Sequence, residues 1–594
     1  MKAHVPMGGE CGGRGRCGKC QVSVGNKEAV SSTTGIEREV LTKDEIASGK
    51  RLACQTVILD DLTVYTPPDV SGGSRRIQVE SVDRSITPNP AIRKLALQLQ
   101  RPDLSDLRSD MDRLIDEIDC AQTLDLDLDM LERIPSVLRE SNWQVSVVLW
   151  DNRKIIAVEP GDTTSECYGL AVDIGSSKIV VQLIDLNTGK TMATYGSENP
   201  QLMYGEDVVE RIVVSEENEM LKHLQKIVIQ EINQLLDVIF ANTGVSPIHV
   251  YEAVVVGNTV MNHIFLGLSP RTIAFSPYTP VITTPYNARV ADIGININRN
   301  GVIHVPANIA GFVGADATAD VIASGIFETD ELTLQLDIGT NTEVFLGNRE
   351  GIVTCSCASG PAFEGAHITH GIKAVDGAIE CIRIGRETAV EYDTIGDSSP
   401  IGLCGSAVVD LVAELFRHGI IDHKGKIRRD LENERIRIDS NLPEFVVAWQ
   451  DETGAQKDIV LTQKDVNEIM LAKAAIFTGC SILMKRMNVS NEQIKAVVMG
   501  GAFGCYLDPR NTIAIGMIPD VDPEIISFRG NLALLGAKTL LVSGKFRELE
   551  RECRSKIKYI ELTNDPDFKS EYTNALFLPN RKTERFPSLS KQPI

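Results

Sequence analysis

The pattern that most constrains this chain is a strand–turn–strand segment that occurs twice. YGLAVDIGSSKIVVQLIDLNTGKTMATYG begins at Tyr168, and LTLQLDIGTNTEVFLGNREGIVTCSCA begins at Leu332. In each copy an apolar run ends in Asp-Ile-Gly, a short polar turn follows, and two further strand-like runs come after it. Recurrence of one supersecondary unit within a chain indicates internal repetition. The sequence therefore predicts that residues 168–575 form one duplicated unit of two similar lobes.

The two Asp-Ile-Gly turns carry residue types suited to binding phosphate. Glycine lets the backbone approach a phosphate, N–H and hydroxyl groups donate to its oxygens, and an aspartate at the strand end can bind Mg²⁺ directly or through water. A single turn of this kind is weak evidence, but two matched copies are much stronger. A third glycine turn, VVMGGAFG at 497–504, fits a site that receives adenosine. The candidate ATP-binding residues are Gly175, Ser176, Ser177, Gly339, Thr340, Asn341, Gly500, Gly501 and Ala502. The candidate catalytic residues are Asp173, Asp337 and Glu343, and the candidate Mg²⁺ ligands are Asp173 and Asp337.

A second motif lies near the start of the chain, where CGGRGRCGKC occupies residues 11–20. Cys11, Cys17 and Cys20 share this loop, and Cys54 follows in a strand-like segment. Zinc sites usually draw on two separate C-x2-C knuckles, whereas three cysteines in one loop plus a distant fourth is the arrangement of a 2Fe–2S ferredoxin site. The glycines permit the backbone conformations that wrap an anionic cluster. We predict a 2Fe–2S cluster held by these four cysteines; the alternatives are a reduced-thiol loop and a zinc site.

Length and texture divide the chain into four parts. With 594 residues, 43% of them hydrophobic and 24% charged, it is too long for one core and has globular composition. We predict a metal-binding domain over 1–67, a Pro-, Gly- and Ser-rich linker over 68–85, a small α/β domain over 86–165, and the two-lobed unit over 166–594.

Local patterns predict individual elements. The predicted strands are QVSVG, RLACQTVILDDLTVY, AIRKLALQLQ, WQVSVVLW and KIIAVEP. The predicted helices are SDLRSDMDRLIDEI, residues 219–240, a helix that begins near Thr462 with Asp465 completing its capping box, and NLALLGAKTLLVSGKF.

Charge and hydropathy exclude some functions. The formal net charge of −21 repels nucleic-acid backbones and anionic lipids, so we expect neither nucleic-acid nor membrane partners. We expect no segment to approach the roughly 20 apolar residues of a membrane span, and the start has no apolar signal-peptide region. We therefore predict a cytoplasmic protein, in which clustered cysteines indicate metal and scattered ones indicate core.

The cysteine loop resembles the 2Fe–2S ferredoxin domains, with the spacing of their adrenodoxin-type branch. The resemblance implies a β-grasp fold that normally opens with a hairpin and a helix before the first cysteine. Only ten residues precede Cys11. We therefore expect a shortened domain that lacks its first strands.

The trio of glycine turns resembles the acetate and sugar kinase/heat-shock chaperone/actin superfamily. The resemblance places its phosphate-1 motif on Asp173–Lys178, its phosphate-2 motif on Asp337–Glu343 and its adenosine motif on Met499–Gly504. It implies two ribonuclease-H-like lobes that close over ATP–Mg²⁺. Two positions depart from the motifs. Lys178 replaces a hydroxyl residue and Thr342 replaces a glycine, and either could alter nucleotide affinity or the cation requirement.

Across nearly its whole length the chain resembles the reductive activators of corrinoid proteins. The stretches that carry the resemblance include NPQLMYGEDVVERI, VVGNTVMNHIFLGLSP, ANIAGFVGADATAD, LDIGTNTEVFLGN, ASGPAFEGAHI, PIGLCGSAVVDLV, LAKAAIFTG and GGAFG. The resemblance implies an ATPase coupled to electron transfer, which passes one electron from the 2Fe–2S cluster to Co(II) and regenerates Co(I) for anaerobic methyl transfer. It also implies a corrinoid protein as partner, an external electron donor and a homodimer.

Three other functions remain open from the residues alone. A metabolite kinase with a redox-sensing iron–sulfur domain needs an acceptor pocket with a base near the γ-phosphate. A nucleotide-switched electron carrier or scaffold needs no hydrolysis. An ATP-dependent activator of a dehydratase holds its cluster at a subunit interface, which the separate cysteine loop argues against.

Several further residues have competing interpretations. Cys355, Cys357 and Cys404 are expected to be packing residues. His263 is expected to be a satisfied helix residue, and His367 with His370 has only the spacing of a metal pair. Asn258 and Thr259 are plausible cleft residues. Asp316 fits equally a contact to Mg²⁺ or nucleotide and a helix N-cap.

Overall fold

The structure is a computed structural model, and it describes most of the chain. The described residues are 20–65, 86–118, 124–205, 207–217, 219–365, 367–385, 389–439, 442–454, 456–501 and 507–589. Three predicted site residues, Cys11, Cys17 and Ala502, lie outside them, as does the predicted linker 68–85. The domain boundaries proposed above stay predictions.

The first described segment forms a three-stranded antiparallel sheet in the order β2–β1–β3. Its strands are β1 (Gln21–Val24), β2 (Lys50–Leu52) and β3 (Val64–Tyr65), and its helices are α1 (Gly35–Val40) and α2 (Lys43–Ala47). Both helices begin with a complete capping box, at Thr34 and Thr42, which satisfies their first free N–H groups.

The second predicted strand of this segment is wrong beyond Leu52. Residues Ala53–Gln55 form a 3₁₀ turn, and no strand follows until β3. The turn is closed at Thr56, whose hydroxyl donates to the Leu52 carbonyl at 2.8 Å and whose N–H donates to the Ala53 carbonyl at 3.4 Å. These bonds turn the chain away from β1, so Cys54 lies in a turn and not on a strand.

A four-stranded sheet in the order β4–β6–β7–β5 follows, covered by two helices. Its elements are β4 (Ile92–Gln98), α3 (Asp110–Glu117), β5 (Asp125–Leu126), α4 (Leu128–Glu140), β6 (Gln144–Trp150) and β7 (Lys154–Pro160). The predicted strands and the amphipathic helix of this region are confirmed. The sheet is fastened to the next lobe by Lys94, whose ammonium lies 2.8 Å from Glu159 and donates to the Tyr251 hydroxyl at 2.7 Å.

The first lobe is built on a six-stranded sheet in the order β10–β9–β8–β11–β13–β12. Its elements are β8 (Tyr168–Ile174), β9 (Lys178–Asp185), β10 (Thr191–Glu198), α5 (Val208–Ser215), α6 (Met220–Thr243), β11 (Val250–Gly257), α7 (Thr259–Phe265), β12 (Tyr286–Arg289), α8 (Val290–Ile293), β13 (Val302–Val305) and α9 (Ala315–Ser324). Strands β8, β9 and β10 are antiparallel neighbours, while β11 runs parallel to β8, and β13 parallel to β11. The predicted helix near 219–240 is α6, which buries Leu224, Val228 and Ile232 against the sheet.

The second lobe repeats this topology in the order β24–β23–β14–β15–β16–β25. Its elements are β14 (Thr333–Ile338), β15 (Thr342–Asn348), β16 (Gly351–Cys357), β17 (Ala378–Ile384), β18 (Val390–Thr394), β19 (Gly402–Leu403), α10 (Gly405–Arg417), β20 (Ile436–Asp439), β21 (Leu442–Ala448), β22 (Ile459–Thr462), α11 (Gln463–Met487), β23 (Ala496–Gly500), α12 (Pro509–Ala514), β24 (Ile526–Phe528), α13 (Leu532–Val542), α14 (Gly544–Lys556), β25 (Ile557–Tyr559) and α15 (Phe568–Ala575). Again three antiparallel strands are followed by a parallel strand beside the first of them. The duplication predicted from the two Asp-Ile-Gly segments is therefore present in the topology of the two sheets.

The lobes meet along two helices, α9 and α13, which pack against each other at close range. A β-carbon at Gly536 would lie only 2.1 Å from the Ala319 carbonyl oxygen, so this crossing requires glycine. The predicted helix NLALLGAKTLLVSGKF is confirmed over Leu532–Val542 and wrong beyond it, because Ser543 has extended backbone angles and separates α13 from α14.

Helix α11 begins at the predicted capping box of Thr462 and Asp465 and crosses the core of the second lobe. In the part of the chain that the structure describes, α11 is the one helix that is long and apolar enough, by length and composition, to span a membrane. This corrects the expectation that no segment approaches such a length. Of its apolar window, 78% is buried inside the protein, which is the environment of a core helix.

Candidate functional site

A cavity of about 260 Å³ lies between the two lobes. The β8–β9 turn and the start of α7 line it from the first lobe, and the β14–β15 turn and the start of α10 line it from the second. The described candidate residues on this surface are Asp173, Gly175, Ser176, Ser177, Gly339, Thr340, Asn341, Glu343, Asp337 and Gly501. The fold thus brings both Asp-Ile-Gly turns and the third glycine turn to one cleft. Asn258 and Thr259 also line it, as predicted.

The β8–β9 turn is compact, and Gly175 is its critical position. A β-carbon there would lie 2.9 Å from the Lys178 carbonyl oxygen, so a larger residue would open the turn. Lys178 itself lines the cavity, which places an ammonium-bearing side chain within reach of a bound anion. Its departure from the superfamily motif therefore falls on the ligand side of the turn.

The β14–β15 turn is held by side chains of its own lobe. The Gly339 N–H donates to the Asn341 carbonyl at 3.0 Å, and the Thr340 hydroxyl donates to Glu364 at 2.7 Å. Thr342 is fully buried, and its hydroxyl lies 2.9 Å from that of Ser359. Unlike Lys178, Thr342 belongs to the interior of its lobe and does not line the cavity.

The third glycine turn begins where β23 ends. Gly501 has φ of +90°, and a β-carbon there would lie 2.2 Å from the Ile338 carbonyl oxygen. At Gly500 a β-carbon would lie 2.5 Å from a methyl carbon of Leu532. Both glycines are thus required for β23 to approach β14 and α13 closely, and Gly501 lines the cleft.

Two aspartates face each other from equivalent strand ends, Asp173 on β8 and Asp337 on β14. Burial raises the pKa of Asp173 to about 6, although Asn531 donates a hydrogen bond to its carboxylate at 2.8 Å. Burial and the charge of Asp173 raise the pKa of Asp337 to about 6. Each carboxylate is therefore costly in its ionised form until a cation approaches.

Three further carboxyl groups complete the cluster. Asp316 and Asp320 come from successive turns of α9, and Glu343 comes from β15. Burial, together with repulsion from Asp337 and Asp173, raises the pKa of Asp316 to about 7. Burial and neighbouring carboxylates hold the pKa values of Asp320 and Glu343 well above their ordinary range. Asp320 is fully buried, and the Ser356 hydroxyl donates to Glu343 at 3.0 Å.

This arrangement fits a divalent cation with a phosphate ligand. Four carboxyl groups of this cluster, those of Asp173, Asp316, Asp337 and Glu343, line the cavity where the β8–β9 and β14–β15 turns meet, and carboxylate oxygens are the ligands that Mg²⁺ prefers. The predicted N-cap role of Asp316 is wrong, because the N-cap of α9 is Gly314 and Asp316 lies in the first turn. From that position it lines the cavity.

The remaining histidines and cysteines are structural. The His263 ring donates from Nδ1 to the Thr259 carbonyl at 2.6 Å and accepts the Val281 N–H at Nε2 at 2.9 Å, so both nitrogens are satisfied. Within the described ranges no group of three potential metal ligands forms, which leaves His367 and His370 without a metal site. Cys355 and Cys357 are buried on β16, as predicted. Cys404 is also buried but borders the cleft as the N-cap of α10.

The two described cysteines of the predicted cluster lie side by side. Their sulfur atoms, Cys20 Sγ and Cys54 Sγ, are 3.3 Å apart, well beyond the S–S bond length of about 2.05 Å. The Ala53 N–H donates to the Cys20 carbonyl at 2.8 Å, which sets the distance between the two segments. Cys20 is buried and Cys54 is exposed. Two adjacent thiols at the protein surface fit two ligands of one iron–sulfur cluster.

The segment that carries Cys54 is anchored by a buried ion pair. Glu37 on α1 binds Arg51 through two hydrogen bonds of 2.8 and 2.9 Å, and both side chains are nearly inaccessible to water. The Glu37 carboxylate also accepts a hydrogen bond from the Leu52 N–H at 3.0 Å, and Leu52 directly precedes the turn that carries Cys54. This pair therefore fixes the position of Cys54.

The predictions from sequence did not include two residues that lie beside the candidate carboxylates. Asp320 follows Asp316 by four residues on α9, so helical spacing could have placed both carboxylates on one face. Asn531 caps α13, and its contact to Asp173 joins residues 358 positions apart. A capping pattern was visible at Asn531, but nothing local pointed to Asp173.

Family models match almost the whole chain. Residues 331–590 match the C-terminal domain of RACo, described as the ASKHA domain, residues 168–329 match the RACo middle region, and residues 81–165 match the RACo linker region. Residues 2–59 match the 2Fe–2S iron–sulfur cluster binding domain. These matches confirm the predicted fold class of a ferredoxin-type domain followed by a duplicated ATPase unit.

Individual relatives agree with the family models. The chain is 30% identical over 588 residues to the corrinoid activation enzyme RamQ of Eubacterium limosum, which covers 97% of this chain and 95% of that protein. It is 26% identical over 405 residues to the Co(II) methylated amine-specific corrinoid protein reductase of Methanosarcina barkeri, covering 63% and 70%. A solved structure, titled reductive activator for corrinoid, iron–sulfur protein, superposes with a TM-score of 0.79 at 37% identity and covers 97% of this chain and 94% of its own. At this identity and coverage, the chain belongs to the RACo family.

Proposed function

We propose that this protein is an ATP-dependent reductive activator of a corrinoid protein. The observation that carries the proposal is the union, in one chain, of an adjacent thiol pair at Cys20 and Cys54 with a two-lobed cleft lined by carboxylates. Its relatives, matched over nearly their full length, are named for corrinoid activation. No described contact favours the alternative of a metabolite kinase.

The thiols of Cys11, Cys17, Cys20 and Cys54 are the proposed ligands of the cluster. When bound, the 2Fe–2S cluster supplies one electron, which reduces Co(II) of the partner to Co(I). The protein contributes the positions of the thiols. Cys54 is exposed on its turn, so this edge of the domain is the side from which a partner can approach.

Residues of both lobes are the proposed contacts to ATP in the cleft. Gly175, Ser176 and Ser177 face the phosphates from the first lobe, and Gly339, Thr340 and Asn341 face them from the second. Gly500, Gly501 and Ala502 form the proposed adenosine turn.

Asp173 and Asp337 are the proposed Mg²⁺ ligands. The raised pKa of each carboxyl reflects repulsion and burial that a divalent cation relieves. Glu343 is the proposed catalytic carboxylate, oriented by Ser356 toward the attacking water. Asp316, on the opposite wall, is a further candidate for contacting the metal.

ATP is required because reduction of Co(II) in a corrinoid demands a very negative potential. A ligand that binds one lobe arrangement more tightly than another shifts the population toward that arrangement. Phosphate groups contacted from both lobes favour the closed arrangement. We propose that closure changes the affinity for the corrinoid partner and drives the electron transfer.

The wider setting follows from the same function. We propose an external reductant as electron donor, a homodimer as the assembly, and the cytoplasm as the compartment. The acidic surface is consistent with a soluble protein that binds neither nucleic acid nor anionic membranes.

The test is reconstitution with purified components. The full chain, loaded with its cluster and reduced, is mixed with a Co(II) corrinoid protein and ATP–Mg²⁺, and the visible absorbance of Co(I) is recorded. We expect ATP-dependent Co(I) formation that is lost in Cys54→Ser. The matched control is Cys381→Ser, a half-buried thiol outside both sites, which should retain activity. Absence of any ATP-dependent conversion with cognate corrinoid proteins would refute the proposal.

A further inference from the structure

Three successive carbonyl groups of the β8–β9 turn are held by hydrogen bonds from beneath. The Asn199 side chain donates to the Gly175 carbonyl at 2.8 Å, and the Asn199 N–H donates to the Ser177 carbonyl at 2.9 Å. Between them, the Arg211 guanidinium donates from Nη2 to the Ser176 carbonyl at 2.5 Å. Asn199 and Arg211 are both almost completely buried.

Peptide geometry converts these contacts into a direction for the N–H groups. In a planar trans peptide the C=O of one residue and the N–H of the next point in opposite directions. Holding the carbonyls of Gly175 and Ser176 on the buried side therefore turns the N–H groups of Ser176 and Ser177 toward the cavity that these residues line. In the part of the chain that the structure describes, the N–H groups of Ser176 and Ser177 donate to no protein acceptor.

Among the described residues, none supplies a carboxylate to pair with the charge of Arg211. It is fully buried on α5, and its other donors contact the Gly205 carbonyl at 3.0 Å and the Met261 sulfur at 3.3 Å. Among the described residues no carboxylate lies within 4.0 Å of its guanidinium nitrogens. Burial lowers the pKa of Arg211 to about 10, while the charges of Asp207 and Glu210 oppose that shift, so the group is a cation at neutral pH.

An unpaired buried cation is expensive unless something compensates it. Carbonyl dipoles supply part of that compensation here. The part of the Arg211 potential that the carbonyl dipoles do not offset extends across the β8–β9 turn into the cleft, toward which the N–H groups also point. Such a field favours an anion on the cleft side of the turn and is strongest for the ligand of highest negative charge.

We propose that Arg211, with Asn199, is a positioning residue for the nucleotide phosphates: it orients the N–H groups of the β8–β9 turn and sets a positive potential beneath it. This inference rests on the proposed ATP site and goes further, since it predicts how affinity depends on the number of phosphates. Arg211 acts through the turn and does not itself contact the ligand.

The test measures dissociation constants of ATP, ADP and AMP, each with Mg²⁺, for the full chain and its variants. Arg211→Gln keeps a donor but removes the charge. We expect Arg211→Gln to weaken the binding of ATP by roughly 10- to 100-fold, that of ADP by less, and that of AMP by less than about 3-fold. Arg211→Lys keeps the charge, so its ATP-to-AMP affinity ratio should stay within about 3-fold of wild type.

The matched control is Lys473→Gln. Lys473 is also a fully buried cation held by backbone carbonyls, those of Phe577 and Pro579, but it lies in the core of the second lobe. This variant should lose thermal stability and keep the wild-type ATP-to-AMP ratio. If Arg211→Gln fails to fold, Asn199→Ser takes its place, and we expect the same order of loss, ATP over ADP over AMP, at smaller size.

The outcomes separate this inference from the proposed function. If the wild-type protein binds no ATP, the proposed ATP site itself is wrong. If it binds ATP but the variants weaken ATP and AMP equally, or weaken neither, Arg211 has a merely structural role and the inference is overturned.

Discussion

Buried carboxylates serve opposite purposes in the two ends of this molecule. In the N-terminal sheet, burial raises the pKa of Glu37, but hydrogen bonds from Arg51, Thr34 and Leu52 outweigh it and lower the pKa to about 2. In the cleft, burial raises the pKa of Asp173 and Asp337 to about 6, and among the described residues no arginine or lysine forms an ion pair with either carboxylate.

The difference shows which carboxylates hold the fold and which await a ligand. Glu37 finds all its partners within the protein, so its ionised form stabilises the segment that carries Cys54. The cleft carboxylates repel one another, which costs folding free energy until a cation binds. Proteins keep such unfavourable groups where function requires them, and removing them commonly raises stability while lowering activity.

The sharpest test of this contrast is Asp337→Asn. Loss of the proposed Mg²⁺ ligand should reduce ATP-dependent Co(I) formation by at least about 100-fold, since positioning and charge of the metal support the whole reaction. Without nucleotide and metal, the same variant should unfold at a temperature a few degrees higher, because one source of repulsion is gone. Activity is followed by absorbance and stability by calorimetry.

The control is Asp410→Asn. Burial also raises the pKa of Asp410 to about 6, but this carboxylate lies outside the cleft and accepts a hydrogen bond from Asn511 at 2.6 Å. The Asp410→Asn variant should therefore leave ATP-dependent Co(I) formation largely intact. A destabilised Asp337→Asn protein would contradict the interpretation that the cleft carboxylates are under strain.

The converse test is Glu37→Gln. Removing one partner of a buried ion pair leaves Arg51 unpaired and should destabilise the N-terminal sheet by about 3–5 kcal/mol. We expect cluster loss, seen by absorbance and EPR, with unchanged ATP affinity. Glu45→Gln, at a partly exposed capping position of α2, serves as the control and should retain the cluster. Retention of the cluster in Glu37→Gln would show that the pair does not position Cys54.

The two regions should also respond to pH in opposite directions. The pKa of Glu37 is lowered from 4.5 to about 2. The stability that its ionised form contributes is therefore complete above about pH 4.5 and is lost as the pH falls toward 2. The pKa values of Asp173 and Asp337 are raised from 3.8 to about 6. With respect to these two groups, the lobes without Mg²⁺ are therefore most stable below about pH 3.8 and lose stability as the pH rises toward 6.

Hydrogen exchange across pH 2 to 7 on the protein without nucleotide and Mg²⁺, followed separately in the N-terminal segment and in the ATP-binding lobes, measures both trends. Saturating Mg²⁺ and ATP should remove the loss of lobe stability near pH 6. Parallel pH profiles for the two regions would contradict the comparison.

The smallest expected effect belongs to the ion pair across the cleft. Lys373 of the second lobe contacts Glu198 of the first, and both side chains are well exposed. Exposed pairs contribute little, so Lys373→Ala should speed nucleotide release by less than about 3-fold in stopped-flow measurements. Lys545→Ala, which removes another exposed pair with Glu328, should leave the rate unchanged. A larger change would mean that this pair controls lobe closure.

Much of the cleft was predictable because its chemistry is local. The strand ends at Asp173 and Asp337, the glycine turns and the capping box at Thr462 all depend on neighbouring residues. Errors arose where short-range signals for a turn or a helix end were passed over. The run after Leu52 has strand-like composition, yet hydrogen bonds at Thr56 close a turn instead. The helix predicted after Asn531 ends at Val542, because Ser543 takes extended backbone angles immediately before Gly544, a residue of low helix propensity.

The sequence by itself determined the repeated Asp-Ile-Gly units, the cysteine spacing and hence the pairing of an ATP unit with an iron–sulfur domain, because these depend on residue type and short spacing. Only the tertiary structure decided that Asn531 reaches Asp173, that Asp320 joins the cleft carboxylates, and that the cation of Arg211 lies beneath the first phosphate turn. Burial and charge at these positions come from packing between segments far apart in the chain, which no local pattern specifies.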